Sequence, residues 1–298
     1  MKILVSGSTG LVGRPLVRNL VKDGHDVRLL VRRDSAGPGE VAWNPTTGSV
    51  RGEDLEGLDA VIHLAGEGIA NKRWNEEQKK KTRDSRVIGT RHLSEALASL
   101  ENPPSTLICA SAIGFYGSRD IEPLTELSSP GNDFLAQTCQ DWEIAADPAR
   151  EKGIRVVHLR FGVLLSPEGG ALAKMLLPFK MGVGGILGNG EQYMSWLALD
   201  DAVRVIRFCV DQKEIHGAVN SVSPQSVTNL EFTKTLGKVL GRPTIFPMPA
   251  FAARLAFGEM ADALLLSSAK VLPSKLEGTF FEFAYPDLEG ALKHLLNR

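Results

Sequence analysis

Gly7, Gly10 and Gly13 stand at GxxGxxG spacing in the run Gly7-Ser8-Thr9-Gly10-Leu11-Val12-Gly13. The apolar stretch Lys2-Ile3-Leu4-Val5-Ser6 precedes it, and Arg14-Pro15-Leu16-Val17-Arg18-Asn19-Leu20-Val21 follows with helical periodicity. A strand, a glycine turn and a helix in that order open a dinucleotide-binding unit. Gly7 permits a tight turn, Gly10 lets a pyrophosphate approach the backbone, and Gly13 lets the helix lie close to the sheet. The helix N-terminus offers free N–H groups and a positive dipole end to phosphate. Thr9 adds a hydroxyl donor, and Leu11 and Val12 complete the turn.

The second strand, His25-Asp26-Val27-Arg28-Leu29-Leu30-Val31, chooses the cofactor by its end. An acid about twenty residues past the glycines would bond the ribose of NAD, whereas arginine suits the 2′-phosphate of NADP. Here Arg32 and Arg33 stand at the end, with Asp34 only following, so the chain is expected to bind NADP(H). One charge-assisted contact would favour NADPH by roughly ten- to a hundred-fold.

Other candidates lie at later strand ends. Asp59-Ala60-Val61-Ile62-His63-Leu64-Ala65-Gly66 is a buried strand whose end, Leu64, Ala65 and Gly66, is narrow enough to pass the cofactor. His63 sits among apolar neighbours and reads as a core histidine. Arg86 lies on a helix expected beneath the cofactor, and Val163 is placed against the cofactor where Phe161-Gly162-Val163-Leu164-Leu165 leaves the sheet. Ser111 and Tyr116, after the strand Thr106-Leu107-Ile108-Cys109-Ala110-Ser111, are the hydroxyls that could polarise a substrate oxygen. Trp74, Tyr116, Met194 and Trp196 are the expected apolar walls of a substrate pocket. The three cysteines, Cys109, Cys139 and Cys209, are widely spaced and form no metal-binding pattern.

The elements that must position these residues alternate strand and helix, which predicts an α/β, Rossmann-type doubly wound parallel sheet with right-handed crossovers. Residues 1–165 form the dinucleotide-binding domain, with 196–222 returning to it. Residues 166–195 and 223–298 form a smaller, mostly helical C-terminal substrate or lid domain. Residues 35–57 read as a loop with a short hairpin around Trp43 and Val50, and 134–151 as one helix. The basic run over 72–86 reads as a solvated helix face. A hydrophobic share of 43% supports a full core, and a net charge of −1 gives no general attraction to nucleic acid or anionic membrane. No apolar run has transmembrane length and no secretory leader is evident, so a cytoplasmic protein is expected.

Taken together, Gly7 to Gly13, Leu64-Ala65-Gly66, Ser111-Ala112-Ile113-Gly114-Phe115-Tyr116-Gly117 and Trp196-Leu197-Ala198-Leu199-Asp200-Asp201 resemble the extended short-chain dehydrogenase/reductase superfamily. These are NAD(P)-dependent sugar epimerases, dehydratases and reductases. The segment 182–190 and the tail from Gly258-Glu259-Met260 to Phe283-Ala284-Tyr285-Pro286 are similar to an atypical subgroup, the epimerase family proteins. Some of these carry a cell division inhibitor label, and they end in a C-terminal domain of unknown function. The resemblance spans essentially the whole chain and implies an NADP(H)-dependent oxidoreductase acting on a small carbonyl or hydroxyl compound.

The superfamily's catalytic set is only partly matched. Arg86 falls at the position of its helix Asn, Ala112 at its Ser, Leu135 at its Tyr and Cys139 at its Lys. None of the three tyrosines is followed four residues later by lysine. Loss of a positioned acid–base group typically costs about 10²–10⁴-fold. Two readings therefore stay open: an enzyme that uses Ser111 or Tyr116, or a weakly active or inactive NADPH-binding protein that presents a surface to a protein partner or a second copy, linked through the label to cell division.

Overall fold

The computed structural model describes residues 1–33, 37–70 and 72–298. The apolar runs form a seven-stranded parallel sheet whose central strands are buried on both faces and paired on both edges. Along the first half its strands are β1 (Lys2–Ser6), β2 (Asp26–Val31), β3 (Glu40–Ala42), β4 (Ala60–His63) and β5 (Thr106–Ala112), with α1 (Gly13–Lys22) after β1 and α2 (Glu76–Ala98) after β4. A two-residue strand, β6 (Pro123–Leu124), stands outside this sheet. Next come α3 (Phe134–Ile144), α4 (Asp147–Glu151), β7 (Arg155–Phe161), β8 (Val163–Ser166), α5 (Gly170–Lys180), β9 (Tyr193–Met194), β10 (Trp196–Ala198), α6 (Leu199–Asp211) and β11 (Gly217–Ser221). The sheet order is β11-β7-β5-β4-β1-β2-β3. This is the doubly wound arrangement expected.

Residue parity divides the strands between two cores. Ile3, Val5, Ile62, Ile108, Val157 and Leu159 face α1 and α6, where Leu16, Leu20, Val205 and Ile206 complete the layer. Leu4, Val61, Leu107 and Val156 face α2 and α4, against Leu93, Leu97, Ala146 and Ala149. The Trp43–Val50 hairpin is present as an antiparallel bridge, but Glu40–Ala42, just before it, is an edge strand that sequence reading left in a loop. Three residues carry too little periodicity to announce a strand. Asp34 and residues 35–36 of that loop lie outside the described residues, as does Asn71 in the basic run. The helix expected over 134–151 divides into α3 and α4, because Pro148 belongs in a first helical turn and not in a helix interior.

The remaining elements are β12 (Val227–Thr228), α7 (Asn229–Leu240), α8 (Ala250–Phe257), β13 (Lys270–Val271), α9 (Ser274–Glu277) and α10 (Leu288–Leu295). A third core unites α5, α7 and α10 through Leu172, Phe179, Phe232, Leu236, Leu288 and Leu292. Residues 193–198 hold two short strands. β9 pairs with β12 and β10 pairs with β8, with Ser195 between them. Within β10, Leu197 faces the α1/α6 core while Trp196 and Ala198 face the third core. Trp196 is fully buried there, so the strand's parity makes it a core residue and not the pocket wall expected.

Candidate functional site

The glycine turn is held by contacts that no side chain could share. Gly7 has φ +68°, and a Cβ there would lie 2.8 Å from the Leu64 carbonyl carbon and 2.9 Å from Ala65 N. At Gly13 a Cβ would lie 2.2 Å from Gly7 O. Gly10 N–H donates to Gly7 O at 2.9 Å, and the Arg14 guanidinium donates to Thr9 O at 2.8 Å. Ser6, which sequence reading passed over, ties this turn to the end of β4. Its Oγ accepts from Leu64 N at 3.1 Å and Ala65 N at 3.3 Å, and lies 2.7 Å from His63 Nδ1. Burial lowers the His63 pKa to about 4, so the imidazole is neutral at neutral pH, as suits the core histidine expected.

At the start of α1 no side chain caps the helix and its first turn holds no acid. Arg14 N–H is taken by Gly10 O and Pro15 has none, but the N–H groups of Leu11, Val12 and Gly13 have no acceptor among the described residues, and above a glycine cradle they fit the diphosphate of a dinucleotide. The structure separates the two arginines after β2. Both are exposed, but Arg33 is paired with Glu40 of β3 at 2.5 Å, while Arg32 has no ion-pair partner among the described residues. Arg86 donates to Thr82 O and Glu67 O, each at 2.9 Å, and packs over the Trp142 ring at 5.2 Å. A Cβ at Gly66 would sit 3.5 Å from the Arg86 side chain. Desolvation lowers the Arg86 pKa, yet arginine remains a cation. Its position fastens the backbone that leaves β4.

Ser111 and Tyr116 belong to one buried chain of side chains. The Ser111 hydroxyl donates to Glu143 Oε1 at 2.7 Å. Arg160 holds the same carboxylate with two bonds, Nε to Oε1 and Nη2 to Oε2, both 2.8 Å. Arg160 Nη1 donates to the Tyr116 oxygen at 2.9 Å, and Tyr116 donates to Asn220 Oδ1 at 2.6 Å. The Arg160 guanidinium also lies 3.4 Å above the Phe115 ring. Burial alone would raise the Glu143 pKa, but the Arg160 bonds outweigh it and the carboxyl is held below its usual range. Burial pushes the Tyr116 phenol up despite Arg160.

Two consequences follow for the hydroxyls. Ser111 has one proton and gives it to Glu143, and Tyr116 gives its proton to Asn220. Tyr116 is wholly buried in a small core with Leu124, Val222 and Val271. It therefore walls no open pocket and offers no proton to a substrate. Glu143, Arg160 and Asn220 were not read from the sequence as site residues. The signal was Arg160 itself, an arginine within the apolar strand Val156-Val157-His158-Leu159-Arg160-Phe161, which demands a buried acid.

The positions that match the superfamily's Tyr and Lys do face this strand end. A Cβ at Gly114 would lie 3.4 Å from Leu135 Cβ and 3.8 Å from Cys139 Sγ. Neither can move a proton. Burial, with Glu143 nearby, pushes the Cys139 thiol up to about 12. Beside them opens a cleft walled by Ile113, Val163, Met175, Leu187, Met194 and Leu265. Val163, placed from the sequence against the cofactor, and Met194, placed as a pocket wall, both line this cleft. Trp74 is not among the cleft's lining residues; its indole donates to Ile69 O at 2.9 Å and stands edge-on to Phe134. A wider, shallow depression between Arg204, Phe208 and Phe281 lies at the other end of α1, where Arg207 pairs with Asp23, away from the glycine turn. Among the described residues no cluster of His, Cys, Asp or Glu could hold a metal ion. No helix among them is long and apolar enough to cross a membrane.

The profile described as NAD dependent epimerase/dehydratase family matches residues 3–221, and a domain of unknown function, DUF1731, matches residues 248–295. An epimerase family protein of Mycobacterium tuberculosis is 43% identical over 296 residues, covering 99% of this chain and 98% of its own. The crystal structure of human epimerase family protein SDR39U1 with NADPH is 34% identical, with a TM-score of 0.91 over 100% of this chain and 99% of its own. UDP-N-acetylglucosamine 4-epimerase from Bacillus cereus, at 23% identity and a TM-score of 0.75, covers 99% of this chain and 98% of its own and shares the fold.

Proposed function

The chain belongs to the NAD dependent epimerase/dehydratase family, and on that footing we propose that it is an NADP(H)-dependent, epimerase-like oxidoreductase of small carbonyl or hydroxyl compounds. The observation that carries the reading is the uncapped, acid-free start of α1 over a turn in which Gly7 and Gly13 leave no room for a Cβ. The human relative, crystallised with NADPH, supports the choice of cofactor. Bound there, the dinucleotide would supply hydride chemistry at its nicotinamide. The chain's own residues bind and orient it. The N–H groups of Leu11, Val12 and Gly13 at the start of α1 would take the diphosphate, Arg32 the 2′-phosphate, and Leu64, Ala65 and Gly66 the adjoining cofactor backbone. Arg86 holds that last segment in place, and the Glu143–Arg160 pair fixes the turn from Ile113 to Tyr116, whose Ile113 lines the cleft.

A fluorescence titration with NADPH and NADH tests this reading. Arg32→Ala should weaken NADPH by about tenfold or more and leave NADH unchanged. Arg33→Ala should weaken NADPH less, because Glu40 already occupies that guanidinium. Equal affinity of the wild-type protein for the two dinucleotides would refute the assignment of Arg32.

A second reading is favoured by the committed protons of Ser111 and Tyr116. On it the protein binds NADPH with little turnover and offers a surface to a protein partner, the role to which the subgroup's cell division label would attach. Failure of a broad carbonyl panel to consume NADPH, with cofactor binding intact, would select it.

A further inference from the structure

The cleft beside Val163 carries no Asp, Glu, Lys or Arg on its walls among the described residues. From this we propose that its substrate is an uncharged, mainly apolar carbonyl or hydroxyl compound, not a nucleoside diphosphate sugar, and that the substrate oxygen is met by the Tyr193 hydroxyl. The inference deepens the oxidoreductase reading and rests on it for the use of the cleft.

A sugar nucleotide brings a doubly charged diphosphate, which needs cations or free N–H groups when it leaves water. The cleft withholds both. The helix start that faces it, at Asn229 of α7, is already spent. Asn229 N–H donates to Gln192 O and Leu230 N–H to Gly190 O, both at 2.9 Å, and Glu231 N–H donates to Thr228 Oγ at 3.2 Å. The Glu231 carboxylate caps the same end by accepting from Thr228 N at 2.7 Å, so its charge opposes an incoming anion. Two lysines on neighbouring elements, Lys174 of α5 and Lys270 of β13, are not among the cleft's lining residues. Lys174 donates to Ala70 O at 2.7 Å, and the Lys270 ammonium lies over the Tyr193 ring, 5.0 Å from its centre.

The polar atoms that do line the cleft are nearly all committed. Ser195 Oγ donates to Ala269 O and accepts from Val271 N, both at 2.8 Å. Ser267 donates to Ala263 O at 3.0 Å, and Asn229 Oδ1 accepts from Leu187 N at 2.8 Å. Tyr193 differs. Its hydroxyl has no hydrogen-bond partner among the described residues, while its backbone is pinned on both sides, N–H to Ser268 Oγ at 3.0 Å and carbonyl from Ala269 N–H at 3.2 Å. A fixed strand thus places a tyrosine with an unpartnered hydroxyl among the cleft's apolar walls, the pattern of a site that orients a ligand by a single oxygen.

Acetophenone, ethylbenzene and UDP-glucose serve as probes in ligand-detected NMR, with the protein alone and saturated with NADPH. Saturable binding of acetophenone and none of UDP-glucose is expected in both states. Tyr193→Phe should weaken acetophenone by roughly five- to tenfold, the scale of one neutral hydrogen bond, and leave ethylbenzene and NADPH unchanged. Saturable binding of UDP-glucose, or an acetophenone affinity indifferent to Tyr193→Phe, overturns the proposal. Failure of NADPH to bind would overturn the cofactor reading alone, because the comparison in the cofactor-free protein reads the cleft by itself.

Discussion

Replacing Arg160 by Met tests the buried network most sharply. Its side chain is 5% exposed and that of Glu143 13%, and the pair is bidentate at 2.8 Å with Ser111 as a third donor. Removing one member of such a pair strands the other charge and typically costs about 3–5 kcal/mol. Glu143→Leu should fall in that range, because a guanidinium cannot shed its proton. Arg160→Met should cost less at low pH than at neutral pH, since the stranded Glu143 can take a proton. The pH dependence should therefore reverse. In the wild type the Glu143 pKa is lowered, so its contribution is present above the unfolded value and is lost as pH falls through the folded value. In Arg160→Met, Glu143 is left buried without its cation, which raises its pKa, so stability is present at low pH and lost as pH rises. The double variant Glu143→Leu/Arg160→Met should recover much of the loss, with a coupling of about 2 kcal/mol or more. Urea melts from pH 4 to pH 8 measure all four proteins. Additive single effects, each under about 1 kcal/mol, would show that the pair does not hold the strand end as argued.

Gly13→Ala should abolish NADPH binding and destabilise the fold by about 1–3 kcal/mol, because its Cβ would meet Gly7 O at 2.2 Å; retained NADPH affinity in the titration would count against the turn geometry. Tyr116→Phe should cost about 1–3 kcal/mol in urea melts, by leaving Asn220 Oδ1 and an Arg160 donor unmatched, while NADPH affinity stays as it was. A large loss of turnover without loss of stability would return Tyr116 to catalysis. The thiols of Cys109, Cys139 and Cys209, each pushed up to about 12 by burial, should resist iodoacetamide at pH 8 until the protein unfolds. Rapid labelling of Cys139 in the native protein, read by mass spectrometry, would contradict that assignment.

Local chemistry carried the sequence reading where neighbours in the chain are neighbours in space. The GxxGxxG turn, its flanking strand and helix, and the apolar strands of the sheet are contiguous signals, so the doubly wound fold and the glycine cradle were legible without coordinates. His63 was legible for the same reason, as an imidazole inside an apolar strand. What the chain alone left undecided depends on pairing across long intervals and on strand parity. Glu143 meets Arg160 across 17 residues and Tyr116 meets Asn220 across 104, and those bonds remove the protons of Ser111 and Tyr116 from use. Trp196 was misplaced by one strand face, because side chains alternate along a strand and only the packing of β10 says which side is core. Glu40, on an edge strand too short to read, takes Arg33 and leaves Arg32 as the candidate for the phosphate. The sequence determined where a dinucleotide could lie; the tertiary structure decided which side chains remain free to act on it, because only folding brings the competing partners within bonding distance.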